Sequence, residues 1–183
     1  MKKDNFFLDY YSNLNSLALE ICETKLKNIS AKLISSYKKN GKIIIVGNGG
    51  SAAIASHVSV DLIKSVGIRS MTFNESSFLT CFANDYGYEN WVAEALKMHA
   101  RKEDTIILIS SSGESQNILR GAFFAREQNI NLITFSGFKK NNSLSDLGKV
   151  NIWVNSYNYN YVEITHHNAL LAIVDWTKIN LKV

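Results

Sequence analysis

Lys42-Ile43-Ile44-Ile45-Val46 runs straight into Gly47-Asn48-Gly49-Gly50-Ser51, and no other stretch restricts the fold as much. Consecutive β-branched residues of this kind read as a strand buried on both faces, as in parallel sheets. Ala52 to Lys64 then shows helical periodicity without Gly or Pro, so the glycines fall at a strand-to-helix turn. Glycine there permits positive φ and close approach of a ligand to the backbone. Ser51 suits the N-cap, and the free N–H groups of the first helical turn make an anion site. The stretch is neither a G-x-G-x-x-G fingerprint nor a P-loop. Taken alone, it also fits a tight turn that holds nothing.

A second stretch adds weight. Ser110-Ser111-Ser112-Gly113-Glu114-Ser115 follows another apolar run, Asp104 to Ile109, and precedes a helical segment from Gln116 to Gln128. In an open parallel sheet both turns lie at the carboxyl edge, where ligands bind. Hydroxyls and backbone N–H groups suit a phosphate monoester held without a metal or an arginine fork. An ordinary polar loop with an N-cap is the plainer alternative.

The rest of the chain fits the same plan. Strands are expected at Ile68 to Phe73, Thr105 to Ile109, Asn131 to Phe135 and Val150 to Val154. Helices are expected at Asn74 to Phe82, Tyr88 to Ala100 and Val162 to Lys182. Strands alternating with helices predict an α/β fold: a single doubly wound, mostly five-stranded parallel sheet flanked by helices. Before the first strand, Phe6 to Lys39 carries apolar residues at helical spacing, with Asn28-Ile29-Ser30 as a candidate break. Asn40-Gly41 ends this arm, with glycine suited to the C′ position. Such an arm packs on its own sheet or on another subunit. The 183 residues are expected to form one domain, with 1–40 as a helical oligomerisation arm and 41–183 as sheet core and C-terminal helix.

Lysines are scattered rather than clustered among aromatics, so nucleic acid is not an expected direct partner. The net charge of +4 favours an anionic ligand. Cys22 and Cys81, far apart in apolar helical contexts, point to reduced thiols and a cytoplasmic protein. No run approaches the ~18 apolar residues of a membrane span, so no membrane association is expected.

Two pairs of ligand-type residues stand four apart on helices: His57 with Asp61, and Glu163 with His167. Each pair shares a helix face. If the faces meet, they offer a His-Asp-Glu-His set of the kind zinc accepts; if they do not, the pairs are solvated surface. His166 and His167 point about 100° apart, and only His167 shares the face of Glu163.

The Gly-Asn-Gly-Gly-Ser turn, the central Asn84-Asp85-Tyr86-Gly87-Tyr88-Glu89 and the Ser110 to Ser115 loop together resemble the sugar isomerase (SIS) domain. Within it they are most similar to the phosphoheptose isomerases, which act on sedoheptulose 7-phosphate in making surface polysaccharide such as lipopolysaccharide or capsule. The resemblance implies a homotetramer built by the N-terminal arm, with active sites between subunits. It implies substrate contacts from Asn48, Gly49, Gly50, Ser51, Asn84, Asp85, Ser110, Ser111, Ser112, Ser115 and Glu163. It also implies a zinc site on His57, Asp61, Glu163 and His167, with Asp61 and His167 catalytic. Asp61 stands where the family has a catalytic glutamate, and Glu163 near a glutamine. The family's catalytic histidine aligns with Leu171, and His167 lies one turn earlier. The expected function is therefore aldose–ketose isomerisation of a phosphorylated sugar. The alternative is a non-catalytic SIS protein, a sugar-phosphate sensor or a scaffold of the type that binds the replication initiator.

Overall fold

In the computed structural model, which describes residues 5–182, five parallel strands run in the order β2-β1-β3-β4-β5. They are β1 (Ile43–Gly47), β2 (Ser70–Met71), β3 (Thr105–Ser110), β4 (Asn131–Ser136) and β5 (Val150–Trp153). Seven helices surround them: α1 (Phe6–Leu19), α2 (Glu23–Lys38), α3 (Gly50–Val66), α4 (Ser76–Tyr86), α5 (Trp91–His99), α6 (Gln116–Glu127) and α7 (Tyr159–Leu181). Side chains alternate across a strand, so the apolar runs feed two cores. Ile43, Ile45, Ile107, Ile109, Ile133 and Phe135 pack against α2, α3 and α7. Ile44, Val46, Ile106, Leu108 and Leu132 pack against α5 and α6. Burial of both faces explains why these strands are continuous apolar runs rather than alternating ones.

The chain leaves β1 toward β2 on one side and reaches β3 on the other. The carboxyl ends of β1 and β3 are therefore neighbours at a topological switch point, with Gly47 in register with Ile109. Both Gly/Ser turns open there.

Several boundaries differ from the sequence-based expectation. The second strand shrinks to Ser70–Met71, because beyond it the edge chain turns so that Phe73 stacks on Phe78. The arm breaks at Glu20 to Cys22, not at Asn28-Ile29-Ser30. Ile29 and Ser30 are buried mid-helix, and the Ser30 hydroxyl accepts from Thr177 at 2.8 Å instead of competing with the helix backbone. Asn40, not Gly41, takes the left-handed conformation (φ 58°) after α2. Gly41 is instead required by proximity, since a Cβ there would overlap the carbonyl of Glu103. The expected N-cap at Ser51 moves to Gly49, whose φ of 54° starts α3 and places Ser51 inside it, buried. Cys22 and Cys81 are free but exposed, not sheltered in apolar surroundings. Among the described residues, no helix is long and apolar enough to cross a membrane.

Candidate active site

A cleft of about 210 Å³ opens where the two turns meet, walled by Asn48, Ser51, Ser110, Ser111, Ser112 and Ser115 with Tyr159 and Glu163 from α7. Its serine wall is cross-braced. Ser110 and Ser115 share a hydroxyl hydrogen bond of 3.0 Å, Gly113 N–H donates to the Ser110 hydroxyl, and Glu114 N–H to that of Ser112. The Ser111 hydroxyl is buried and has no partner among the described residues. A buried hydroxyl without a partner is costly unless something else satisfies it.

Asn48 is held by three hydrogen bonds from two residues. Its amide exchanges hydrogen bonds with Asn117 at 2.8 and 3.0 Å, and its oxygen accepts from the Tyr88 hydroxyl at 3.1 Å. This ties the first turn to α6 and to the loop before α5, and leaves one amide N–H of Asn48 for a ligand. Gly50 is a close-approach glycine: a Cβ there would overlap the carboxylate of Glu163. Glu163 thus lies over the first turn of α3, and burial pushes its carboxyl above the ordinary range. Among the described residues, no Lys or Arg lines the cleft.

One turn further along the α3–α7 seam, His57 Nδ1 lies 2.8 Å from His167 Nε2, and His57 Nε2 lies 3.3 Å from Asp61 Oδ2. The nearby Asp61 carboxylate favours the tautomer of His57 with its proton on Nε2. Its Nδ1 then accepts, and His167 donates from Nε2, which leaves a lone pair on His167 Nδ1. Burial first, then the neighbouring His57, lowers the pKa of His167, while Asp61 raises it. His166 points the other way. It is fully buried, stacks edge-on to Phe135, and sets its Nε2 3.0 Å from the Ser136 carbonyl. Leu171 packs partly buried against the core.

The structure thus gathers ten of the expected residues around one seam: Asn48, Ser51, the four loop serines and Glu163 in the cleft, and His57, Asp61 and His167 beside it. Gly49 and Gly50 form the floor of the first turn. Asn84 and Asp85 do not join them; both are exposed at the end of α4, hydrogen-bonded to each other. The four expected metal ligands do not converge either. His57 and His167 face each other rather than a shared point, Glu163 turns to Gly50, and no group of three or more such residues among the described ones is placed to hold a metal. Sequence reasoning missed Asn117 and Tyr159. Asn117 could have been found as a polar residue in the first turn of a helix that follows a serine loop. Tyr159 stands before the expected helix start at Val162, yet α7 begins with it.

The fold and these loops define an α/β protein with a hydroxyl-lined cleft at the switch point of a parallel sheet. The SIS domain family model matches residues 7–137, and the chain belongs to the SIS domain family. It is 39% identical over 120 residues to phosphoheptose isomerase 2 of Campylobacter jejuni, covering 62% of this chain and 60% of that protein. It is 35% identical over 126 residues to phosphoheptose isomerase of Helicobacter pylori, covering 66% of each. The matched region thus spans about two thirds or less of these curated relatives. In fold it is similar to the phosphoheptose isomerase of Neisseria gonorrhoeae, with a TM-score of 0.87, 21% identity and coverage of 97% of this chain and 99% of that one.

Proposed function

We propose that the chain is an aldose–ketose isomerase converting sedoheptulose 7-phosphate to the corresponding heptose 7-phosphate, in the cytoplasm, for surface polysaccharide. The carrying observation is the unpartnered, buried Ser111 hydroxyl in a serine-walled cleft beside a histidine–histidine–aspartate chain. The names of the relatives at 35–39% identity support the enzyme over a scaffold.

In this reading the phosphate sits among Ser110, Ser112, Ser115 and the first turn of α3. A phosphate at C7 leaves C1 and C2 at the far end of the sugar, toward His167. The Nδ1 lone pair of His167 takes a proton from C1, and that C–H electron pair becomes the C1–C2 double bond. The C2 carbonyl oxygen takes up the charge of the enediolate. His57, backed by Asp61, stabilises the imidazolium that forms. The C1 hydroxyl gives its proton to the C2 oxygen, the proton held by His167 returns to C2 on the electron pair of the double bond, and the freed pair on the C1 oxygen forms the aldehyde. His167 is the catalytic group, and Asp61 acts through His57. Zinc is proposed only as a point for measurement, since the imidazoles must turn away from each other to bind it. Metal found at one equivalent, and lost in His57→Ala, would establish it.

The homotetramer is part of the same proposal. No residue of α1 is buried, and Phe7, Leu8, Tyr11 and Leu19 are exposed on it. Asn84 and Asp85 would meet substrate only across a subunit boundary.

The deciding experiment incubates the protein with sedoheptulose 7-phosphate in deuterated water and follows it by NMR. The aldose with deuterium at C2 is the expected product. Absence of turnover with this and other ketose phosphates, with binding intact, would transfer the chain to the non-catalytic class. Ser112→Ala and Ser115→Ala should each weaken binding by roughly 1–3 kcal/mol by calorimetry; unchanged affinity in both would remove the phosphate from this loop.

A further inference from the structure

The opposite end of the sheet carries a second, chemically different pair of cavities. One, of about 380 Å³, lies between α2 and the starts of β3, β4 and β5. The other, of about 490 Å³, continues past the start of β1 and shares Lys39, Glu103 and Asp104 with the first. We propose that this groove is a binding site for an oligophosphate group on a small molecule, separate from the serine cleft.

Charge carries the argument. Lys32, Lys39, Lys102 and Lys149 face the first cavity, and Arg69 and Arg101 join Lys39 in the second. None of these six is in a salt bridge among the described residues. The buried carboxylate of Asp104 does not neutralise them. Its oxygens accept from Lys42 Nζ at 2.6 Å, from Lys42 N–H at 2.8 Å and from Arg101 N–H at 2.8 Å, so its charge is already matched by Lys42. Only Glu103 is left to oppose the six. The whole chain has a net charge of +4, so this one groove holds more than the molecule's entire excess. Gathered cations without counter-charges repel one another and concentrate anions in a cleft.

The lining also selects the kind of anion. Six separate cations, four of them lysines with mobile point charges and two arginines with planar forks, suit several phosphates better than a single carboxylate. Among the described residues, neither cavity is lined by Phe, Tyr or Trp. A single-stranded nucleic acid site would use aromatic platforms for its bases, so recognition here rests on the phosphates. The volumes match small-ligand pockets.

The test titrates inorganic tripolyphosphate into the 183-residue chain at low salt by calorimetry. Saturable binding is expected. Lys102→Gln with Lys149→Gln should weaken it about tenfold or more, as should Lys32→Gln with Lys39→Gln, each charge-assisted contact being worth about that factor. Thermal melts of both variants confirm that they fold, and the second pair serves if the first does not. Ser112→Ala should leave tripolyphosphate affinity unchanged. Absence of saturable binding, equal affinity in the lysine variants, or loss in Ser112→Ala would overturn the proposal. So would inorganic phosphate binding as tightly as tripolyphosphate, or an oligothymidylate binding more tightly than either.

Discussion

His166 and His167 are adjacent in sequence and opposite in physical circumstance. Burial drives the pKa of His166 down to about 4, with only its hydrogen bond to the Ser136 carbonyl opposing. The folded state therefore binds its proton more weakly than the unfolded chain, whose imidazole has its ordinary value of 6.5. Stability contributed by the neutral ring is present above pH 6.5 and is lost as pH falls toward 4. His166→Ala should cost roughly 2–4 kcal/mol at pH 7, as a truncated core residue does, and should flatten the melting temperature between pH 6.5 and 4. His167→Ala should leave the melt nearly unchanged and abolish turnover. A loss of stability in His167→Ala equal to that in His166→Ala would show the faces to be wrongly assigned. Glu163 has the opposite sign. Its raised carboxyl binds a proton more tightly when folded, so its contribution weakens as pH rises past 4.5. Glu163→Gln should therefore melt higher than the wild-type chain at pH 7 and match it at pH 4. An equal melt at both values would mean that the carboxylate is solvated and does not lie on Gly50.

At the scale of elements, the central strands β1, β3 and β4 were legible because each is buried on both faces and so carries a near-continuous apolar run; Thr105–Ser110 and Asn131–Ser136 are recovered within a residue. The i,i+4 pairs on α3 and α7 were legible as faces, because helix geometry fixes them. What the sequence could not reveal is how two faces meet: that His57 hydrogen-bonds His167 while Glu163 turns to Gly50 is a matter of helix packing, not spacing. Local signals also misled wherever tertiary contact overrode them. Ser30 reads as a breaker but is satisfied by Thr177, and Gly41 reads as a cap but is a spacer against Glu103. The arm shows the same limit. Its apolar stripe is evident, yet only the structure reveals that α1 fully buries none of it, leaving Tyr10, Leu14 and Leu17 half-buried, with Tyr10 4.8 Å from Tyr161 between ring centres. Replacing Phe7 and Leu8 together by Asp should therefore reduce the mass in light scattering while leaving the core melt in place. A monomeric wild-type chain would remove the tetramer from the proposal.

For the molecule as a whole, the parallel sheet separates two chemistries by giving all strands one direction. The carboxyl end has hydroxyls, backbone N–H groups and a helix start but, among the described residues, no lysine or arginine in its cleft. The amino end has the cations. Composition could report the net +4 but not its placement, because the lysines are scattered along the chain and gather only when the strand starts line up. Salt should distinguish the ends. At 0.05 M ionic strength charges still feel one another over more than ~10 Å, whereas at 0.5 M they are screened within about half that distance. A phosphate held by short hydrogen bonds to uncharged donors in a cleft depends little on distant charge. Its dissociation constant should rise less than about threefold over this range, the remainder being the general attraction of a positive molecule. Calorimetry with sedoheptulose 7-phosphate at both salt concentrations checks this. A weakening of about tenfold or more would mean that lysine or arginine reaches the sugar phosphate, and on the present geometry that cation would have to come from a neighbouring subunit.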